Sequence, residues 1–173
     1  MHSRLAAALF LLPLAALAAP PDGRKAIEAV YRQYAYAFEM KDYSALESLF
    51  APAYTSVAEG RALGRDDAVA ALRSQAKKAG APVRCRFKVE RITPDGTGAT
   101  VQVFETARYR LRALDKSLHW FRYQRESQDH LAPAGGKWLI DSSRCGQDGA
   151  RYWVDNKPAS ASKVAATFGP GAL

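Results

Sequence analysis

Several side chains in the second half of this chain of 173 residues could transfer protons. They include His119 and His130, with Asp129 beside the second histidine and Asp141 further along the chain. A histidine close to a carboxylate can act as a general base near neutral pH. No serine or cysteine stands at a spacing typical of a nucleophile motif, so we expect a structural role first. We keep His119 and Asp141 as candidate catalytic residues.

The chain offers little for binding a metal. Zinc sites need three or four ligands, which usually follow recognisable spacings. His2 lies in a segment that we expect to be removed, and the two other histidines lack a third ligand at such a spacing. We therefore predict neither a metal nor a cofactor.

Two stretches place cations on alternate residues, which all lie on one face of a β-strand. The first stretch carries Arg84, Arg86 and Lys88, and the second carries Arg108, Arg110 and Arg112. If the turn between the stretches is centred near Gly96, Arg84 lies opposite Arg108. Like charges opposed across strands destabilise the pair unless a counter-charge intervenes.

These cations allow two interpretations, and the formal net charge of +8 agrees with both. We rank first an ordinary solvated face, with Glu90, Glu105 and Glu126 interleaved and water screening the rest. The functional alternative is an anion-binding face for phosphate, an anionic polymer or a lipid headgroup, because arginine forks suit such ligands. Its candidate residues are Arg84, Arg86, Arg108 and Arg110.

Six aromatic residues have spacings typical of inward-facing side chains: Tyr31, Tyr34, Tyr109, Trp120, Tyr123 and Trp138. They are candidates to line a ligand cavity, although core packing is the commoner role at such spacings. The hydroxyls of Tyr34 and Tyr123 need hydrogen-bond partners if they are buried. That requirement favours a partly hydrated pocket over a dry core.

The apolar pattern divides the chain into helices and then strands. Helical spacing predicts helices over residues 22–41, 42–50 and 65–78, with a short strand over 53–57 between the second and the third. The period then changes to two, which predicts long strands over 83–90, 99–112, 118–131 and 137–144. Short turns between these strands favour an antiparallel meander. Residues 157–173 lack a periodic apolar face, so we predict a flexible tail there.

Three segments resemble the nuclear transport factor 2-like superfamily and its SnoaL-like branch. The first carries the runs YAYAF, KDYSAL and LFAP between Tyr34 and Pro52, the second is GRDDAV from Gly64, and the third is GKWLI from Gly136. The resemblance covers residues 24–145. It implies an α+β domain over residues 19–156, a cone in which a curved antiparallel sheet wraps around three N-terminal helices.

The superfamily includes isomerases, cyclases, dehydratases and non-enzymatic binding or assembly domains. In its ketosteroid isomerase branch a tyrosine of the first helix donates a hydrogen bond to the developing enolate, and Tyr34 stands at that position. The branch's general base is an aspartate where this chain has Ala58. Glu59 is adjacent, but neighbours in an extended segment face opposite ways. The resemblance thus implies that the isomerase base is missing.

The start of the chain has the pattern of an export signal. Arg4 gives a short basic start, residues 5–17 are apolar and uncharged, and Ala16-Leu17-Ala18 is a small-x-small cleavage signal. The apolar run is shorter than the about 20 residues of a transmembrane helix, and no cysteine follows the cleavage site to carry a lipid. We predict cleavage near Ala18 and a secreted or periplasmic protein.

Cys85 and Cys145 are the two cysteines of the chain. In an exported protein, an even number without metal-ligand spacing predicts a disulfide bond. The bond would close a loop of about 60 residues and stabilise the fold by about 4 kcal/mol in the chain-entropy estimate. Two buried thiols are the alternative.

The sequence therefore predicts an exported domain that binds a small apolar or amphipathic molecule, or a partner, without established catalysis. One alternative is an isomerase- or dehydratase-like enzyme with Tyr34 as oxyanion donor and a pocket base, for which Asp141, His119 and Glu59 are the candidates. A further alternative is a structural protein that forms a homodimer through its sheet. Nucleic acid is disfavoured because no binding motif accompanies the basic charge, and we expect no membrane insertion.

Overall fold

The computed structural model describes residues 23–58, 61–79, 83–145 and 150–169. Its helices are α1 (Gly23–Met40), α2 (Tyr43–Glu47), α3 (Arg65–Lys78) and α4 (Ala161–Phe168). Its strands are β1 (Phe50–Ala58), β2 (Arg61–Gly64), β3 (Arg84–Pro94), β4 (Ala99–Arg112), β5 (Leu118–Ala134), β6 (Lys137–Cys145), β7 (Arg151–Val154) and β8 (Lys157–Ala159). The predicted export signal, residues 1–18, and the candidate base Glu59 lie outside the described residues.

The helices form where the apolar spacing predicts them, and α1 packs on β3. α1 buries one stripe, made of Ile27, Val30, Tyr31, Tyr34, Ala37 and Phe38. Lys41, at φ 58°, turns the chain, and the carboxylate of Asp42 caps α2 by accepting from the Ala45 amide at 2.9 Å. None of the described helices is long and apolar enough to cross a membrane.

The strands form a mixed sheet in the order β2-β1-β6-β5-β4-β3. The predicted meander of β3, β4, β5 and β6 is confirmed, as is the α+β class with helices at the N-terminal end. The parallel pairing of β1 with β6, and the strands β2, β7 and β8, were not predicted. β5 is long enough to pair with β6 along its second half and with β7 along its first.

Alternation along the strands gives the sheet two faces. The inner face packs against the helices and is buried, and on β4 it carries Val101, Val103, Glu105, Ala107, Tyr109 and Leu111. The outer face carries the residues between them. Arg84 lies opposite Arg108, as the predicted turn requires. The same alternation places Glu105 inside, so the interpretation that counted it among the outer counter-charges was wrong.

The segment after Asn156 is not the irregular tail that its composition predicts. It contains β8, which pairs with β7, and then α4, whose N-terminus is capped by the Ser160 hydroxyl. Val164 is fully buried, and one turn later the ring of Phe168 packs edge-on against Phe121, with centroids 5.8 Å apart. Two apolar residues at i and i+4 on a short helix thus anchor a segment of small residues.

The predicted disulfide is absent, and both cysteines are free. Cys85 lies on β3 and Cys145 on β6, with β4 and β5 between them. Adjacent strands are about 4.8 Å apart, whereas the Cα atoms of a disulfide must approach to about 7 Å or less. Three strand spacings therefore keep the two thiols too far apart to bond.

Candidate ligand-binding site

The inner face of the sheet holds a buried ion pair. Glu105 is 4% exposed, and its Oε2 accepts from Nε of Arg125, the residue directly opposite on β5, at 2.5 Å. Its Oε1 accepts from the Tyr123 hydroxyl at 2.6 Å and lies 3.7 Å from Sγ of Cys85. Both oxygens have partners, so the carboxylate charge is compensated where water is scarce. Burial first, and then the charge of Glu105, raises the pKa of the Tyr123 hydroxyl and the Cys85 thiol.

A second buried carboxylate, on β5, lies on the same inner face of the sheet. Asp129 is 5% exposed, and it accepts from the Tyr31 hydroxyl at 2.8 Å and from the Ser143 hydroxyl at 2.7 Å. Burial raises the pKa of the Asp129 carboxyl, although these hydrogen bonds oppose the shift. A carboxyl that holds its proton more tightly than a free aspartate is suited to acid–base chemistry.

Tyr34 lies in the aromatic core between these two clusters. Its ring packs edge-on against Phe50 and Phe87, with centroids 5.9 and 4.9 Å away. Burial, and then the charge of Glu105, raises the pKa of its hydroxyl. Tyr31 and Tyr34 both belong to the buried core, so core packing is what the structure shows for them.

The candidate binding space is a groove of about 520 Å³ between α1 and the edge strand β3. It is lined by Glu28, Tyr31, Arg32 and Ala35 on the helix and by Cys85, Arg86, Phe87, Lys88 and Val89 on the strand. Two contacts tie the helix to the free edge of the strand: Arg24 donates to the Val89 carbonyl at 3.4 Å, and the Cys85 amide donates to Glu39 at 2.8 Å. We refer to this space as the α1–β3 groove.

Two side chains connect the α1–β3 groove to the buried carboxylates. Tyr31 lines the groove and donates to Asp129, and Cys85 lines it and contacts Glu105. A molecule in the groove would thus lie one side chain away from each carboxylate. Apolar ring and aliphatic surface forms the floor, while charged side chains stand at the rim.

The three candidate catalytic residues lie in separate surroundings. Tyr34 is in the core, whereas Asp141 on β6 contacts Nδ1 of His130 at 3.1 Å and its side chain is 42% exposed. His119 lies at the start of β5 beside Asp155 of the β7–β8 turn, Nδ1 to Oδ2, at 2.7 Å. The structure does not bring these three residues into one site.

His119 nevertheless has a serine neighbour in space. The Ser117 hydroxyl is 2.7 Å from its Nε2, so Ser117, His119 and Asp155 are linked in the order of a catalytic triad. The same hydroxyl also donates to Asp115, which accepts from the Ser117 amide as well, and a hydroxyl has one proton to give. The array therefore connects the β4–β5 hairpin to the β7–β8 turn. The Ser117 hydroxyl donates its proton to a hydrogen bond with Asp115 and not to His119.

The other predicted lining residues divide between the core and the outer face. Tyr109 and Tyr123 are buried, and the Tyr109 hydroxyl accepts from Gln75 at 3.1 Å. Trp138 is half-buried against the core. Trp120 was assigned to the wrong face: it pairs with Arg110 outside, because the inward position belongs to its neighbour Phe121.

Sequence reasoning missed the role of Glu105 and Arg125, although the signal was present. Both occupy alternate positions that belong to the inward-facing series of their strands. Glu105 lies between Val103 and Ala107 in that series, and Arg125 is two residues after Tyr123. Charged residues are rarely buried unless paired, which favours assigning them to the surface. The pairing that permits burial joins different strands. No group of three or more potential metal ligands occurs in the described part of the chain.

Helices at the N-terminal end of a curved mixed sheet, with polar groups on the inner face, define the nuclear transport factor 2-like class. The SnoaL-like domain matches residues 22–144, and the chain belongs to that family. Solved structures of similar fold include a scytalone dehydratase-like protein of Novosphingobium aromaticivorans, with 18% identity over 73% of this chain and 85% of the other and a TM-score of 0.63.

Two further structures share the fold. A type 2 hexachlorocyclohexane dehydrochlorinase has 11% identity over 80% of this chain and 89% of the other, with a TM-score of 0.61. A ketosteroid isomerase-like protein of Erwinia carotovora atroseptica has 17% identity over 72% and 95%, with a TM-score of 0.56. At such identities the likeness shows the fold alone. No curated protein sequence matches this chain significantly.

Proposed function

We propose that this protein binds a small amphipathic molecule in the α1–β3 groove. The observation that carries the proposal is the composition of the groove: Phe87, Val89, Ala35 and the ring of Tyr31 supply apolar surface, and charged groups rim it. A concave site with apolar walls and a few polar groups is the usual form of a small-molecule site. The volume of about 520 Å³ is in the range of such sites.

The charges at the rim favour a ligand with an acidic group. Arg32, Arg86 and Lys88 are exposed there, and Glu28 is the acid among the lining residues. Lys88 also lies 3.2 Å from Glu90, just beyond the lining, and Arg32 lies 4.0 Å from Glu28. Glu28 also faces Arg24, at 2.9 Å, so its charge is partly occupied. A carboxylate, sulfonate or phosphate on the ligand would therefore find an excess of cations beside the apolar floor.

Anilinonaphthalene sulfonate, which joins an aromatic body to an anionic group, is a suitable fluorescent probe. We expect Ala35→Trp, which fills the groove, to weaken probe binding at least about tenfold, because the ring occupies the apolar floor. Ala71→Trp, on the exposed side of α3, is the matched control and should bind as the parent does. Equal binding by the parent and Ala35→Trp, with unchanged unfolding midpoints, would reject the groove as the site.

A second variant tests the preference for an acidic group without filling the groove. Lys88→Gln should weaken the sulfonate probe about fivefold and leave the uncharged probe N-phenylnaphthylamine unaffected, since only the former carries a charge. If both probes weaken equally, the rim charges do not select the ligand.

A second candidate function is proton transfer at carbon, as in an elimination or isomerisation. The observation that favours it is Asp129, a buried carboxyl with a raised pKa that contacts the groove through Tyr31. The dehydratase-like, dehydrochlorinase and isomerase-like names among the structures of similar fold agree with such chemistry. Under this proposal Asp129 replaces Asp141, His119 and Glu59 as base and acts through the hydroxyl of Tyr31, which lines the groove. Tyr34 remains the candidate oxyanion donor from the core behind the groove lining.

A nitrobenzisoxazole is a probe for a carboxylate base in an apolar site, because proton removal from carbon breaks its N–O bond and yields a coloured phenolate. We expect turnover that falls to the buffer rate in Asp129→Asn and persists in Asp141→Asn, an exposed control carboxylate. Tyr34→Phe should lower the rate if its hydroxyl supports the developing oxyanion. Turnover unchanged by Asp129→Asn would exclude that residue as the base.

We also propose that the protein acts after export. The basic, apolar and small-x-small pattern of residues 1–18 supports this. The mass of the protein recovered from a periplasmic or secreted fraction should correspond to a chain that begins at Ala19. Recovery of the full-length chain from the cytoplasm alone would contradict the proposal.

A further inference from the structure

Arginines occupy three adjacent rows of the outer face. The first row runs Arg84–Arg108–Arg122–Trp153 across β3, β4, β5 and β7. The second contains Arg86 and Arg151, and the third joins Arg110 to Trp120. We call these six arginines and two tryptophans the arginine face. Neighbouring rows lie about 7 Å apart and neighbouring strands about 4.8 Å apart, so the charges are dense.

This arrangement opposes the stability of the sheet. Arg108 stands directly opposite Arg84 on one side and Arg122 on the other, and like charges in register are destabilising. Within the described strands, none of the three rows contains an acidic residue. Glu39, from the end of α1, reaches Arg84 at 3.5 Å. A charge pattern with a local cost and little local compensation indicates a function for the surface.

The two tryptophans make cation–π contacts with the arginines. The guanidinium of Arg108 lies 4.5 Å from the ring centre of Trp120, and that of Arg122 lies 3.9 Å from the ring centre of Trp153. Stacking on an aromatic face orients a guanidinium while its N–H groups remain able to bind an anion. Arg108 and Arg110 are themselves exposed.

The arginine face continues into an exposed apolar end. Leu118 precedes Trp120 by two residues on the outer side of β5 and is 36% exposed, and Leu114 at the tip of the hairpin is 68% exposed. This end also carries two acids: Asp115 accepts from the Ser117 amide, and Asp155 accepts from the Trp120 amide and contacts His119 at 2.7 Å. They leave the arginines in excess. The two exposed leucines therefore lie beside Trp120 and the arginine face. Tryptophan is a residue type common at membrane interfaces.

We propose that the arginine face docks the protein on an anionic membrane surface, with Leu114 and Leu118 at the level of the lipid headgroups. Lipid phosphates supply a dense anionic array that matches the three rows, and the leucines need an apolar neighbour that a soluble polyanion does not offer. Charge disfavours a second copy of the chain on this face, because a twofold contact would oppose arginines to arginines. The arginine face shares Arg86 with the rim of the groove, but the inference does not depend on a ligand in the groove.

Co-sedimentation with lipid vesicles tests the proposal on the mature chain. Binding should be strong to vesicles with about one third phosphatidylglycerol, absent with phosphatidylcholine alone, and lost between about 0.01 and about 1 M ionic strength. Each arginine contributes a factor of about five, so Arg84→Gln, Arg108→Gln and Arg110→Gln together should weaken binding about a hundredfold. These three residues lie outside the groove, so ligand binding should be unaffected.

Matched variants separate the arginine face from net charge and from folding. Arg73→Gln, Lys77→Gln and Lys137→Gln together remove the same charge from exposed sites on α3 and at the start of β6, and should bind nearly as the parent does. Lysine at the three tested arginine positions keeps the charge and should bind within about threefold. Leu118→Ser should weaken binding severalfold at unchanged charge.

Three results would overturn the proposal. One is equal binding to neutral and anionic vesicles, and another is an equal loss in the control triple variant. The third is binding of soluble polyphosphate without binding of anionic vesicles, which would assign the arginine face to a soluble acidic partner instead. If the groove variants fail to alter probe binding while the vesicle results hold, the membrane proposal stands without the proposed ligand.

Discussion

The inner and outer faces of β4 and β5 differ in whether their charged side chains have a partner. Inside, Glu105 meets Arg125 directly across the strands, and Asp129 is held by two hydroxyl donors. Outside, three register positions along the same strands, Arg108 meets Arg122 with no acid in the row. Desolvation makes an unpaired charge costly inside, whereas water and salt screen it outside. Unmatched charge is therefore tolerated on the outer face, where it remains available to a partner.

The largest effect should come from breaking the inner pair. Glu105→Ala leaves the guanidinium of Arg125 without its counter-charge, and we expect a loss of about 3 kcal/mol in the free energy of unfolding. This value is at the lower end of the usual cost of breaking a buried ion pair, because the Arg125 side chain is 34% exposed and water can partly solvate its charge. Urea unfolding is the measurement, and Glu126→Ala on the outer side of the same sheet is the control, with a change of about 0.5 kcal/mol or less. Similar losses in both variants would remove the distinction between the faces.

A smaller, pH-dependent effect should come from Asp129. Because burial raises its pKa, the folded state holds the proton at a higher pH than the unfolded chain does. Stability is therefore lost as the pH rises above the ordinary value of 3.8 towards the raised one. Asp129→Asn keeps an acceptor for Tyr31 but does not titrate. The free energy of unfolding of the variant, relative to that of the parent, should therefore be larger at pH 7 than at pH 3. A parent-minus-variant difference that is constant with pH would show that the carboxyl titrates normally.

Prediction from sequence succeeded where the signal is local. Alternation of apolar residues fixes the faces and turns of β3 to β6, and the register of Arg84 with Arg108 follows from the turn near Gly96. The parallel pairing of β1 with β6 joins distant segments, so no short-range pattern carries it. Glu105 was misplaced for the related reason that its partner Arg125 lies on another strand. The site thus depends on pairings that only the folded sheet creates.

On the outer face, removal of one central cation should have a small effect that depends on salt. Arg108→Gln relieves repulsion from Arg84 and Arg122 but loses the contact with Trp120, so the two changes nearly cancel. We expect a difference of about 0.5 kcal/mol in favour of the variant at low ionic strength, shrinking as salt screens the repulsion. Unfolding curves at several salt concentrations measure it. A difference that does not change with salt would mean that the rows do not repel.

The cysteines should show the smallest effect on stability, because no bond joins them. Adding reductant should leave the unfolding midpoint unchanged, and both thiols should react with an alkylating reagent once the chain is unfolded without reductant. In the folded protein Cys145 should react faster, since Cys85 is 3% exposed whereas Cys145 is half-buried. Burial raises the pKa of both thiols, so both should react more slowly than a free cysteine. A midpoint lowered by reductant would instead mean that a disulfide joins β3 to β6, which the intervening strands forbid without rearrangement of the sheet.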